Sequence, residues 1–279
     1  TAGIVNASNI AGTLLASVVG IVLELLFPGM EFVWRFAFIL GGLMGIVGFY
    51  FRLRVSETPI FEMLAEKKRT LKMPFTHVIR SSWPAMLVTC CLGGAASSIV
   101  YIIKTYINIF YIEIMGFDKT IALVYLSYSS VVMMLTMPLS GYISDYIGRF
   151  KMIIISSMAI VIISIPAFML LACAEMWKQV TALTIIAMLG GLISGTAYIF
   201  IISLFSPEER FTGVAFSYNL GVALFGGTSA VISMWLVKVT DLYYAPAFYI
   251  MFTSLAFLVV IYFMKTTINN LIEANLKPK

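Results

Sequence analysis

Few of the 279 residues are of a kind that does covalent chemistry. The single histidine is His77, and the three cysteines, Cys90, Cys91 and Cys173, all fall inside apolar runs. This leaves no HExxH zinc helix, no multi-histidine metal site and no disulfide framework. A GxxxxGK[ST] phosphate loop and a GxSxG elbow are missing too. What remains is reversible chemistry, ion pairing and hydrogen bonding, concentrated in two places. The first is Gly141-Tyr-Ile-Ser-Asp145-Tyr-Ile-Gly148-Arg149-Phe-Lys151. Gly141 admits a close helix approach and Gly148 permits a turn. Asp145 can pair with basic groups across that turn, and Arg149 with helix-terminal carbonyls or a facing carboxylate. Gly141, Asp145, Gly148, Arg149 and Lys151 thus form a candidate latch, a charge cluster able to hold one of two conformations and release the other.

The second place is Tyr101-Ile-Ile-Lys104-Thr105-Tyr106-Ile-Asn108. On an α-helix, Tyr101, Lys104, Thr105 and Asn108 share one face through i, i+3, i+4, i+7 spacing. A lysine at the middle of an apolar helix costs about 2.5–3.5 kcal/mol on insertion scales. Two placements relieve that cost. Lys104 can face a water-filled cavity, where the patch would receive a carboxylate solute, or it can snorkel outward to the headgroups. Tyr198 and Asn219 complete the candidate cavity set. Asn6, Asn9 and Tyr218 are the other polar groups within apolar runs. The asparagines either bond across helices as packing contacts or, for Asn219, touch solute. No nucleophile–base pair or metal constellation falls in these runs, so no enzyme is expected.

The elements that must position these residues follow from composition. The chain is 61% hydrophobic and 11% charged, with mean hydropathy +1.00, against about 45–50% apolar and about 25% charged in soluble domains. A soluble enzyme, a disordered chain and a nucleic-acid binder are excluded. Apolar stretches long enough to cross roughly 30 Å of hydrocarbon lie near 3–26, 33–53, 82–108, 120–143, 152–174, 180–204, 212–236 and 244–264. They are continuous rather than alternating, which predicts eight helices and not barrel strands. The fold class is an all-α polytopic helix bundle.

The connections divide by charge. One set carries thirteen Lys/Arg: Arg52 to Arg80, Arg149 with Lys151, Arg210, and the end from Lys265. The other carries four: Arg35, Lys119, Lys178 and Lys238. The basic side is expected to be cytoplasmic, with both termini there. Residues 54–81 form the one long connection, and Glu62 to Arg69 predict a short amphipathic helix on the inner surface. His77, near its end, reads as a polar loop residue. The expected organisation is 1–53, two helices; 54–81, central loop; 82–265, six helices; and 266–279, cytoplasmic tail. Sliding the chain by 210 residues lays Asn9 on Asn219, Ala16-Ser17 on Gly226-Gly227 and Ala37-Phe38 on Ala247-Phe248. That pattern predicts a parallel repeat of two six-helix halves, with four further helices preceding Thr1. Gly41/Gly45 and Gly191/Gly195 are expected to make small-xxx-small helix contacts.

The hairpin Gly141–Lys151 resembles the G-x-x-x-D-x-x-G-R-[KR] signature of the major facilitator superfamily. Tyr146 and Phe150 stand where basic residues are frequent, which thins the charge network. Arg52-Leu-Arg54-Val-Ser-Glu57-Thr58-Pro59-Ile-Phe61 is similar to the segment after the sixth helix of the metabolite:proton symporters, and Arg54, Glu57 and Pro59 are its loop motif. Pro207-Glu-Glu-Arg210-Phe-Thr-Gly213, leading into Tyr218-Asn219 and Gly226-Gly227, is similar to their entry into the eleventh helix. Trp34-Arg35-Phe36 matches the entry to the sixth, with Ala37 in place of a usual proline. The chain is thereby identified with the proline/betaine-transporter-like members of that family, over their fifth to twelfth helices.

The resemblance implies a monomeric secondary transporter of the bacterial inner membrane. Its expected action is symport by alternating access of a small polar solute, an osmolyte such as proline or betaine or a carboxylate metabolite. No cofactor is implied beyond a coupling proton or Na⁺. The spans hold almost no carboxylate apart from Glu24, so coupling groups are expected in the preceding helices. The alternative is a truncated, non-transporting remnant or membrane scaffold.

Overall fold

Apolar runs of this length suit hydrocarbon rather than water, and among the described residues they become eight membrane-length helices, with one short helix besides. The structure is a computed structural model that describes residues 2–27, 30, 32–54 and 74–276. Among them, α1 is Ala2–Leu26, α2 Trp34–Arg54, α3 Pro74–Ser81, α4 Trp83–Ile114, α5 Lys119–Ile147, α6 Arg149–Leu171, α7 Met176–Ser203, α8 Arg210–Thr240 and α9 Pro246–Leu276. All but α3 are long and apolar enough to cross a membrane. The expected helix at 62–69 lies outside the described residues, as do Glu57 and Pro59.

Local chemistry sets the ends. Gly148 has φ +99° and forms the whole turn between α5 and α6, a conformation that a side chain resists. Asp241, at φ 55°, closes α8 in the left-handed conformation that short polar residues tolerate. Pro84 lies in the first turn of α4, where its missing N–H costs nothing. Pro138 and Pro166 stand inside α5 and α6.

Two helices depart from the simple α-helical reading, and a third runs past its expected end. Hydropathy ends the third span near 108, yet α4 runs on to Ile114 through two π-helical turns, Ile102–Tyr106 and Phe110–Ile114. A third π-turn, Val222–Gly226, interrupts α8. The expected tail from 266 is helical as well: α9 continues unbroken to Leu276, with Ile268 fully buried. Leu271 and Ile272 pack beside Ile268 and hold this extension against the bundle.

Short turns make successive helices antiparallel. α7 packs against α1, α4, α5 and α6, while α9 packs on α4 and α6, and α8 on α4. Small and hydroxyl residues stand at the closest of these crossings, as expected where lipid is as apolar as leucine. A β-carbon on Gly195 would collide with the carbonyl of Met137, so α5 and α7 cross backbone to backbone there. Ser140 and Thr196 hydroxyls lie 2.9 Å apart across the same pair. Ser98 and Thr253 do likewise, at 2.9 Å, between α4 and α9.

Just outside the spans, α3 is fastened to the turn before α8. Glu209 is nearly buried and accepts hydrogen bonds from Ser81 Oγ (2.6 Å) and Ser82 Oγ (2.7 Å). His77 Nε2 lies 3.2 Å from the same carboxylate. His77 is therefore a helical residue facing a partner, not a loop residue. The sequence places it within a long connection and gives no sign that Glu209 folds back onto it.

Candidate functional site

A cavity of about 220 Å³ opens where α1, α4, α7 and α8 meet. Lys104 stands on its α4 wall, and its ammonium donates to Asn9 Oδ1 of α1 at 3.5 Å. Of the two placements open to this lysine, the structure shows it on the cavity wall. Asn6, one turn earlier on α1, donates from Nδ2 to the Ser194 carbonyl at 2.8 Å, which ties α1 to α7 beside the opening. Asn219 of α8 donates from Nδ2 to the Ala215 carbonyl at 2.6 Å. Asn219 also lines the cavity. Asn9 and Asn219, superposed by the 210-residue shift, thus flank one cavity from two different helices.

Aromatic rings form much of the remaining wall. Tyr101, Tyr198 and Tyr218 all line it, and the Tyr198 and Tyr218 rings meet edge to face with centroids 6.1 Å apart. Their ring faces present negative quadrupole surface to a cation, and their hydroxyls can donate or accept. The arrangement offers one cationic pole, several amide and hydroxyl groups, and an aromatic surface. It can bind a small solute that carries both a carboxylate and an apolar or cationic end. Among the described residues no carboxylate or histidine lines the cavity, and no group of three acidic, histidine or cysteine residues could hold a metal.

Four of the six candidate cavity residues therefore share one lining: Tyr101, Lys104, Tyr198 and Asn219. Thr105 and Asn108 do not. Their assignment assumes an α-helical period from 101 to 108, and the π-turn at Ile102–Tyr106 adds a residue to that turn. Each inserted residue rotates the rest of the helix by roughly 100°. Thr105 is exposed away from the lining, and the Asn108 side-chain oxygen is buried without a hydrogen-bond partner among the described residues. Ser97, Met137 and Ser194 also line the cavity, and nothing in the sequence singles them out. Serine and methionine are too frequent in these spans to signal a site without knowing the helix neighbours.

The candidate latch lies at the membrane boundary, on the turn between α5 and α6. Arg149 Nη2 is 3.7 Å from Asp145 Oδ1, an i, i+4 pair, with both side chains about half exposed. At that distance and exposure the pair is weak by itself and free to exchange partners. Gly141 sits where α1, α5 and α7 meet, 3.7 Å from the Gly195 carbonyl and the Gly3 Cα by the reach of a β-carbon. This is ordinary contact, and the close backbone approach of α5 to α7 is made at Gly195 instead. Arg54, in the last turn of α2, lies over the Tyr50 ring at 5.4 Å.

The sequence matches the profile of the Major Facilitator Superfamily over residues 1–227. It is 30% identical over 244 residues to the ectoine/proline transporter ProP of Corynebacterium glutamicum, covering 84% of this chain and 48% of that protein. It is 26% identical over 273 residues to the glycine betaine/proline/ectoine/pipecolic acid transporter OusA of Dickeya dadantii, covering 94% and 54%. The proline/betaine transporter of Escherichia coli is 25% identical over 279 residues, with the same coverage. The chain spans about half the length of these curated relatives. Among solved structures, a bacterial homologue of the lysosomal transporter Spinster, inward-facing and unoccupied, superposes with TM-score 0.61 at 14% identity. That match covers 97% of this chain and 70% of the other and concerns the fold alone.

Proposed function

The chain belongs to the Major Facilitator Superfamily, a family of membrane solute carriers and not of enzymes, and on that premise we propose that it carries a small zwitterionic solute of the proline and betaine type. One observation carries the reading: the cavity that joins Lys104 and Asn9 to the tyrosines Tyr101, Tyr198 and Tyr218. The ammonium of Lys104 meets the solute carboxylate, and the amides of Asn9 and Asn219 orient it. The ring faces accept the ammonium pole. A volume of about 220 Å³ falls below the roughly 300–1,000 Å³ of drug-sized sites, which suits a solute of amino-acid size. The relatives named for ectoine, proline and betaine point to the same class.

In this reading transport proceeds by alternating access, with two like halves rocking about the cavity. The Asp145–Arg149 turn is the latch that favours one state. The basic ends of the helices, which carry Arg52, Arg54, Arg149, Lys151, Arg210 and Lys265, face the cytoplasm of a bacterial inner membrane, as does the end of α9. Protons drive uptake, and the coupling groups lie outside the cavity lining. The alternative is a membrane scaffold that keeps the fold without moving solute, and the lack of a carboxylate or histidine in the cavity lining among the described residues is what favours it.

Uptake of labelled proline and glycine betaine by cells expressing the sequence, with and without a protonophore, separates the two. Protonophore-sensitive uptake is expected, with apparent KM raised about 10-fold or more by Lys104→Ala, the equivalent of losing one charge-assisted contact. Asp145→Asn should lower the rate while surface expression is kept. An unchanged KM in Lys104→Ala would remove the cavity assignment. No uptake by a well-expressed chain would leave the scaffold.

A further inference from the structure

A second cavity lies at the opposite end of α6 from its Leu171 terminus, in a groove between the start of that helix and α9. Its volume is about 600 Å³, and it is lined by Arg149 and Lys151 from α6, by Lys265 and Asn269 from α9, and by an apolar wall that includes Ile154 and Ile155. We infer that this groove binds the headgroup and upper acyl chains of an anionic phospholipid.

Three features of the groove select that ligand. The charges come first: three cations converge, and no carboxylate is among the lining residues described. Asp145 reaches only Arg149, at 3.7 Å, while Lys151 and Lys265 make no ion pair among the described residues. The second feature is the order of the wall. The basic groups of α6 occupy its first turn, and Ile154 and Ile155 come one turn deeper. A bound molecule must therefore be anionic at the boundary and apolar toward the membrane centre, which describes a lipid and not a free phosphate. The third is access. Ile155 is 51% exposed on a membrane-spanning helix, so the groove is open to the bilayer itself. Basic pockets between transmembrane helices at a membrane boundary are suited to anionic headgroups. Asn269 adds an amide that can donate to a phosphate oxygen or a glycerol hydroxyl. The site is separate from the solute cavity and does not depend on which solute the protein carries. It does touch the turn holding Asp145 and Arg149, so an occupant would offer Arg149 an alternative anion.

Native mass spectrometry of the purified full chain, titrated with dioleoyl phosphatidylglycerol or dioleoyl phosphatidylcholine, tests the site. Phosphatidylglycerol should be retained in preference to phosphatidylcholine. Lys151→Gln combined with Lys265→Gln should weaken that retention about 10-fold or more, in line with the loss of two headgroup charges. Lys238→Gln, at the other end of the helices, should leave it unchanged. Should the double variant fail to fold, Lys265→Gln alone carries the test with a smaller loss. Equal retention of the two lipids, or an equal loss in Lys238→Gln, overturns the proposal. Complete displacement of the lipid by glycerol 3-phosphate would also overturn it, because the apolar wall would then contribute nothing.

Discussion

Helices α1 and α2 are nearly indistinguishable as membrane segments and differ completely as parts of a structure. Their most apolar stretches have mean hydropathy 1.9 and 1.8. Yet α1 docks on α5 and α7, whereas α2 buries no residue at all among those described and touches little beyond α1. Hydropathy decides whether a helix enters a bilayer and is silent about what it meets there. What α1 has is a matched set of contacts. A β-carbon on Gly3 would come within 2.9 Å of the Met137 carbonyl. Asn6 bonds the Ser194 carbonyl, and the Ser17 hydroxyl lies 2.9 Å from that of Ser127. On α2, Gly41 and Gly45 have the spacing of a helix-contact motif, and a β-carbon on either would meet nothing within 4 Å among the described residues. The same spacing at Gly191 and Gly195 is packed to backbone contact. A small-xxx-small pattern marks a surface that permits close approach, and only a partner makes it a contact.

That contrast can be broken or sharpened by substitution. The largest effect is expected for Gly195→Val, which drives side-chain atoms into the Met137 carbonyl and forces α5 from α7. Overpacking of this kind costs about 1–3 kcal/mol or more, read as a clear fall in the unfolding temperature of the detergent-solubilised protein. Because Tyr198 lies within one turn of Gly195, solute binding should weaken as well. Asn6→Ala comes next. It removes the bond to the Ser194 carbonyl and should cost about 0.6–2 kcal/mol, and a cysteine placed at Ile10 should become more reactive to a maleimide as α1 loosens. An unchanged labelling rate would mean that α1 is held by packing alone. Gly45→Ala should have the smallest effect, a slight gain within about 1 kcal/mol from better helix propensity. A large loss there would show that α2 has a partner surface after all.

The cavity is legible in the sequence to the extent that its chemistry breaks a strong pattern. Lys104 is conspicuous because a charge in an apolar helix is expensive, and Asn9 and Asn219 because the 210-residue shift pairs them. Thr105 and Asn108 group with Lys104 only under an α-helical period that the chain does not keep. No residue type in Ile102–Tyr106 announces a π-turn. Lys151 and Lys265 illustrate the same limit. They are 114 positions apart in the sequence, and only the packing of α6 on α9 puts them on one groove.

Sequence alone therefore determined the quantities that depend on one helix at a time: the number of spans, their approximate ends, the charge on each set of connections and the signature turn at Gly148. Each comes from the transfer of a segment between water and hydrocarbon, a local free energy that composition sets. Tertiary structure decided which glycines touch, which face of α4 turns inward, where His77 finds Glu209 and which cations share a groove. These depend on van der Waals contact and on hydrogen bonds between helices far apart in the chain. Such interactions act over a few ångströms, so no pattern along a single segment can reveal them.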